Sequence, residues 1–218
     1  MLLQELTVKD TKDPEDILKI LRRDCKPFLS SGLSHPFYRG LPRAFAGKQT
    51  PIITLEYDLK EVHLIKMTRQ HDRLPTGTNP AVHDLFDTLF NSKFGWKARS
   101  SGVFASAEWA QANGYGMPFA FFPIGNFHSL WSPEVYDLFA ALPRGLETMI
   151  VHGSSKEKVE GKLRLRHYFD TLDYHADDLK SLGDDHREVM FDCDSYYLVD
   201  AHSKWDETDH PVLKELFK

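Results

Sequence analysis

His186-Arg187-Glu188-Val189-Met190-Phe191, followed by Ser195-Tyr196-Tyr197-Leu198-Val199, is the stretch on which the fold turns. It reads as two short apolar strands joined by a polar turn, Asp192-Cys193-Asp194. Glu188 stands at the mouth of the first strand, just after Gly183-Asp184-Asp185. A carboxylate there is held by a rigid element yet faces outward, the placement that suits a catalytic acid or base. A solvated Glu at a strand entrance is the commoner case. The weight therefore falls on two earlier stretches, Phe37-Tyr38-Arg39-Gly40 and Gly102-Val103-Phe104-Ala105-Ser106.

Composition sets the frame. A chain of 218 residues suits one domain, and at that size folding buries roughly 70% of the unfolded surface. Hydrophobic residues at 41% and charged residues at 27% are globular values. The net charge of -5 gives no global basic field for nucleic acid. Cys25 and Cys193 make no metal or redox spacing and read as free thiols. The N-terminal stretch lacks the apolar run of a signal peptide, and no segment reaches the ~20 apolar residues of a membrane span. The expectation is a cytoplasmic protein without membrane partners.

Taken in order, Asp13-Pro14-Glu15 opens a helix with Asp13 as cap and Pro14 in the first turn. Phe37-Tyr38-Arg39-Gly40 is a short strand ending in a turn. Its Arg either is solvated or leaves the strand into a cleft, beside a Gly that lets a ligand approach the backbone. Ile52 to Leu55 and Val62 to Met67 are strand candidates. Arg69 and Arg73 lie in the polar cluster that follows, either a charged turn or an anion contact. Asn79-Pro80 caps a helix whose Val82, Leu85, Phe86, Leu89 and Phe90 share one face, with His83, Asp84 and Asp87 elsewhere around it. Lys93 to Ser101 reads as a basic loop that could touch a phosphate backbone.

Val103 to Ser106 is a strand, and Ser106 caps the helix that starts at Ala107 and stops at Asn113-Gly114. Met117 to Pro123 and His128 to Trp131 are further strands. Ser132-Pro133-Glu134 starts a helix, Leu146 to Val151 is a strand candidate, and residues 156–180 are helical in parts. The end of the chain, with Val212, Leu213, Leu216 and Phe217, reads as a short docking helix. There is no phosphate-cradling loop, dinucleotide Gly-rich fingerprint, zinc-binding His-Glu-x-x-His or nucleophile elbow. The eleven histidines make no close metal pair on a helix, so no metal site is expected.

The three stretches in this order resemble the Arg–Ser–Glu signature of the mono-ADP-ribosyltransferase fold: Arg39 at a strand end, Ser106 at a strand end, and Glu188 at a strand start. The second stretch has Phe-Ala-Ser where the family has Ser-Thr-Ser, and His186 stands where the family usually has Glu or Gln. The region from about Arg69 to Asp137 also has the look of bacteriophage proteins, which would place the chain in a host cytoplasm. The resemblance implies an α+β fold with two small, mostly antiparallel sheets forming an NAD cleft, flanked by helices. It implies one domain over residues 1–218, with an insertion around 153–182.

NAD would be the co-substrate, and the acceptor a macromolecule, protein or nucleic acid. Glu188 would stabilise the oxocarbenium-like ribose, with His186 contacting the acceptor or taking its proton. Arg39 would bind the NAD phosphate or ribose, and Gly40 the nicotinamide amide. Ser106 would hold Glu188, and Tyr38, Phe104 or Tyr115 would wall the ring. Two other readings stay open: a catalytically inactive binding module of the same fold, and a nucleic-acid-binding or nucleic-acid-modifying protein using the Lys93 to Arg99 stretch.

Overall fold

A computed structural model describes residues 7–9, 13–41, 63–69, 75, 78–138, 140–182, 187–200 and 210–217. Strands β1 (Thr7–Lys9), β2 (Phe37–Leu41), β3 (Leu64–Thr68), β4 (Val103–Ser106), β5 (Met117–Pro123), β6 (His128–Trp131), β7 (His175–Ala176), β8 (Glu188–Asp192) and β9 (Ser195–Asp200) form one sheet. Their spatial order is β1-β3-β9-β5-β2-β4-β8-β6-β7, and the pairs that build it are all antiparallel. The expectation of two small sheets is thus overturned by a single hydrogen-bonded sheet. The physical reason is β2, which pairs with β5 along its whole length and also reaches β4 through Tyr38 opposite Ser106.

That second contact is one residue pair wide, and the sheet bends there. β8 and β9 are separated in the sheet by β5, β2 and β4. If the sheet were flat, four interstrand steps would place them about 19 Å apart. Only Cys193 and Asp194 connect them, and so short a link spans at most roughly 11 Å. The two strands are therefore not a hairpin; they lie in the two halves of the sheet, on either side of the waist, and its bending brings them together. Across the fold, the Phe191 ring centroid lies 5.4 Å from that of Phe37 and 4.9 Å from that of Phe121. These residues are fully buried in one aromatic-rich core with Val103, Val189 and Leu198.

The helices cover the outer faces. α1 (Pro14–Asp24) and α2 (Lys26–Leu29) pack at the β5 side: Phe28 meets Phe122 edge-on, and the Tyr197 hydroxyl donates to Asp24 at 2.9 Å. Asp13 caps α1 as expected, accepting from the Glu15 amide. α3 (Pro80–Phe94), α4 (Ala98–Ser101), α6 (Leu146–His152) and α7 (Ser155–Thr171) lie over the other half. Phe86, Phe90 and Phe169 form a second core there on Leu130 and Met190. α5 (Trp109–Gly114) follows β4, and α8 (Leu213–Leu216) is the docking helix read near the chain end.

Several local readings change. Leu146 to Val151 is helix, not strand: Leu146 and Ile150, one helical turn apart, are both buried. Residues 132–138 form turns, with the Ser132 hydroxyl donating to the Leu172 carbonyl and accepting from the Glu134 amide. The mixed-charge region is helical in parts as read, with α7 over Ser155–Thr171 opened by a capping box between Ser154 and Glu157 and a 3-10 turn at Lys180–Leu182. The Lys93 to Ser101 loop is mostly the end of α3 and α4. α5 starts at Trp109 with Glu108 at its cap position, so Ser106 does not cap it. Ile52 to Leu55, Arg73 and His186 lie outside the described residues.

His210 anchors α8. The Val212 and Leu213 amides donate to its Nδ1, so its proton sits on Nε2, which donates to the Asp200 carbonyl at 2.8 Å. Burial holds its pKa below the ordinary 6.5. The neutral form is the folded form, so this contribution is intact above pH 6.5 and is lost progressively as pH falls below it, levelling off under the depressed folded value. Melting temperatures should drop on acidification through that window. His210→Asn should flatten that part of the pH dependence.

Candidate functional site

The three stretches singled out in the sequence lie on adjacent strands β2, β4 and β8. Tyr38 pairs with Ser106, and Ser106 pairs with Glu188. Directly opposed residues of antiparallel strands share a face. Tyr38, Ser106 and Glu188 therefore form one row on the outer face, with Phe104 and Met190 beside them.

Alternation sends Arg39 to the other face. Its Nη1 donates to the Phe104 carbonyl at 2.7 Å, and its guanidinium carbon lies 5.8 Å from the Tyr196 ring centroid. Its Nε is buried with no hydrogen-bond partner. Arg39 makes no contact with Glu188 among the described residues. Tyr38 is 1% exposed and so walls no ring. Tyr115, 56% exposed, does stand open to solvent at the site.

Glu188 is held by a residue that the sequence did not mark for this task. Arg99 Nη1 lies 3.1 Å from Glu188 Oε1, with side chains 11% and 16% exposed. The same guanidinium sits 4.5 Å over the Phe104 ring, a cation–π contact on a largely desolvated ring. Arg99 belongs to α4, which is clamped at both ends. Asp87 Oδ1 on α3 accepts from the Arg99 and Ser100 amides at 2.8 and 3.2 Å. Buried Arg69 donates from Nε to the Ser101 carbonyl and from Nη2 to the Ser100 carbonyl. Orphan amides and orphan carbonyls of a one-turn helix are thus both satisfied by charged side chains. His83, buried beside Asp87, completes the polar seam on α3.

Ser106 takes a different part from the one expected. Its hydroxyl donates to Gln111 Oε1 at 2.5 Å and accepts from the Glu108 amide at 3.0 Å. Its one proton is thereby committed to Gln111, whose Nε2 donates to the Tyr136 carbonyl. Ser106 shapes the rim of the site and leaves Glu188 to Arg99. The rim itself is aromatic. Tyr136 is 49% exposed beneath the Arg187 guanidinium, 4.8 Å away, and the Tyr115 hydroxyl faces Asp137. Burial, then the negative charges of Asp137 and Glu188, push the Tyr115 pKa up, and burial pushes the Tyr174 pKa up strongly. Both phenols stay protonated near neutrality, and the Tyr115 hydroxyl donates to Asp137. The two cysteines are buried free thiols, with burial raising Cys193 to about 12.

Gly40 is needed for packing. A Cβ there would lie 2.1 Å from the Ala112 carbonyl oxygen and 2.9 Å from Tyr115 Cβ. The side that a ligand was expected to use is filled by α5 and its C-cap. Gly40→Ala must push backbone against backbone and should cost about 1–3 kcal/mol. Urea denaturation would measure it, and loss of Tyr115 order would accompany it.

Among the described residues no group of three or more His, Cys, Asp or Glu side chains could hold a metal ion, and no helix is long and apolar enough to cross a membrane. Compared with known proteins, the chain matches no family model, no curated protein and no solved structure.

Proposed function

We propose that the chain is an NAD-dependent mono-ADP-ribosyltransferase acting on a macromolecular acceptor, protein or nucleic acid. The observation that carries this reading is the convergence of three distant stretches on adjacent strands, with Tyr38, Ser106 and Glu188 in one row. At the end of that row is a largely desolvated carboxylate beside an exposed aromatic rim. That combination suits stabilisation of a positively charged sugar next to a planar leaving group.

In the reaction, the bond between the ribose carbon and nicotinamide breaks, and its electron pair leaves with nicotinamide. The ribose carbon gains positive charge, which the Glu188 carboxylate stabilises while accepting a hydrogen bond from a ribose hydroxyl. The acceptor nucleophile then forms the new bond to that carbon and gives up its proton to water. Tyr115 and Tyr136 offer ring faces, and Arg187 offers a cation for phosphate.

One observation favours a second reading, a binding module of the same fold without turnover: Arg99 occupies Glu188. Nicotinamide release from NAD, measured beside Glu188→Gln with a cell lysate as acceptor source, separates the two. Release that depends on Glu188 supports the transferase. NAD binding by calorimetry without release supports the binding module. No binding and no release overturns both.

A further inference from the structure

We propose that Arg99 is the positioning residue for Glu188, set in place by Asp87, so that an Asp87–Arg99–Glu188 relay does the work expected of Ser106. This rests on the transferase reading of the same site, and it predicts which residue controls turnover there. The geometry has three parts. Glu188 Oε1 receives Arg99 Nη1 at 3.1 Å in a setting that excludes most water. Phe104 fixes the plane of the guanidinium from beneath. Asp87 holds the Arg99 backbone amide itself, and Arg69 locks the other end of α4, so the cation is delivered by a segment with little freedom to shift.

Ser106 cannot substitute, because its proton goes to Gln111. Arg99 donates from Nη1 to the Oε1 oxygen of Glu188 as a charge-assisted hydrogen bond. The charged and titratable groups around Glu188 include Arg99, Arg187, Asp137, Tyr115 and Tyr174. Arg99 stands at a direct ion-pair distance from the carboxylate.

The test uses the full chain with Arg99→Gln, Arg99→Lys and, as a charge-loss control, Arg164→Gln on the exposed face of α7. Arg99→Gln should lower kcat for nicotinamide release about 10–100-fold with KM for NAD little changed, as for residues that orient a reacting group. Arg99→Lys should recover part of kcat, since it keeps the charge but loses the fork and the ring contact. Arg164→Gln should match the parent protein.

A second readout needs no turnover. The side-chain carboxyl resonance of 13C-labelled Glu188 should titrate at higher pH in Arg99→Gln than in the parent, by about one unit or more. A carboxyl titration that does not move would overturn the relay whether or not the protein turns over NAD. A normal carboxyl shift in a protein that releases no nicotinamide would uphold the relay and overturn the transferase reading. Equal losses in kcat for Arg99→Gln and Arg164→Gln would also overturn the relay.

Discussion

Glu188→Gln should reduce nicotinamide release by about 10²–10³-fold, the range seen when one preorganised electrostatic group is removed from a transition state. The substitution keeps shape and one hydrogen-bond-accepting oxygen. What it removes is negative charge next to a ribose carbon that becomes positive only as the glycosidic bond breaks. An interaction made in the transition state alone shows up in kcat, so KM for NAD should stay close to its parent value. The substitution also leaves Arg99 without its carboxylate, so folding must be checked by denaturation before the kinetics are read. Turnover equal to the parent in a folded Glu188→Gln protein would sink the assignment of Glu188. A large rise in KM at unchanged kcat would make Glu188 a binding group only.

The same residue shows how far the sequence could be read. Glu188 was legible because its position is written locally, a polar turn and then an apolar strand. Asp13 and Asn79 were legible as caps for the same reason, and both cap as expected. What joins Glu188 to Arg99 is a contact between elements far apart in the chain, and neither local stretch encodes it. One signal was available: His83, Asp87 and Phe90 follow helical spacing and fall on the buried side of α3, so a buried carboxylate there needed partners. Those partners are the amides that place Arg99. Leu146 to Val151 misled because a short apolar run fits strand and helix alike. The sheet waist was illegible for a geometric reason. A polar link between two apolar strands reads as a hairpin, and only the order of the intervening strands shows that this one joins the two halves of a bent sheet.

That bend gives the largest expected effect on stability. Phe191 stands where the two halves meet, with ring centroids of Phe28, Phe37, Phe121 and Phe127 at 6.1, 5.4, 4.9 and 5.9 Å. It is fully buried. Phe191→Ala should cost about 3–5 kcal/mol, the lost transfer of the ring plus the cavity it leaves. Its neighbours cannot readily collapse into that cavity, because Phe37 and Phe121 are fixed on β2 and β5, Phe28 on α2 and Phe127 in the link between β5 and β6. Chemical denaturation would read the loss, and a value under about 1 kcal/mol would mean that the halves do not depend on this contact.

A Phe121/Phe191 double-mutant cycle isolates the contact across the fold, with an expected coupling of about 0.5–1.5 kcal/mol. The site should feel the same change. Phe191 and Glu188 lie on one strand of five residues, so a shift of β8 that relaxes the cavity also moves the carboxylate away from Arg99. Phe191→Leu, which restores much of the volume, should recover stability and the Arg99–Glu188 contact together. Recovery of one without the other would show that β8 is positioned from the site side, by α4, and not by the core beneath it.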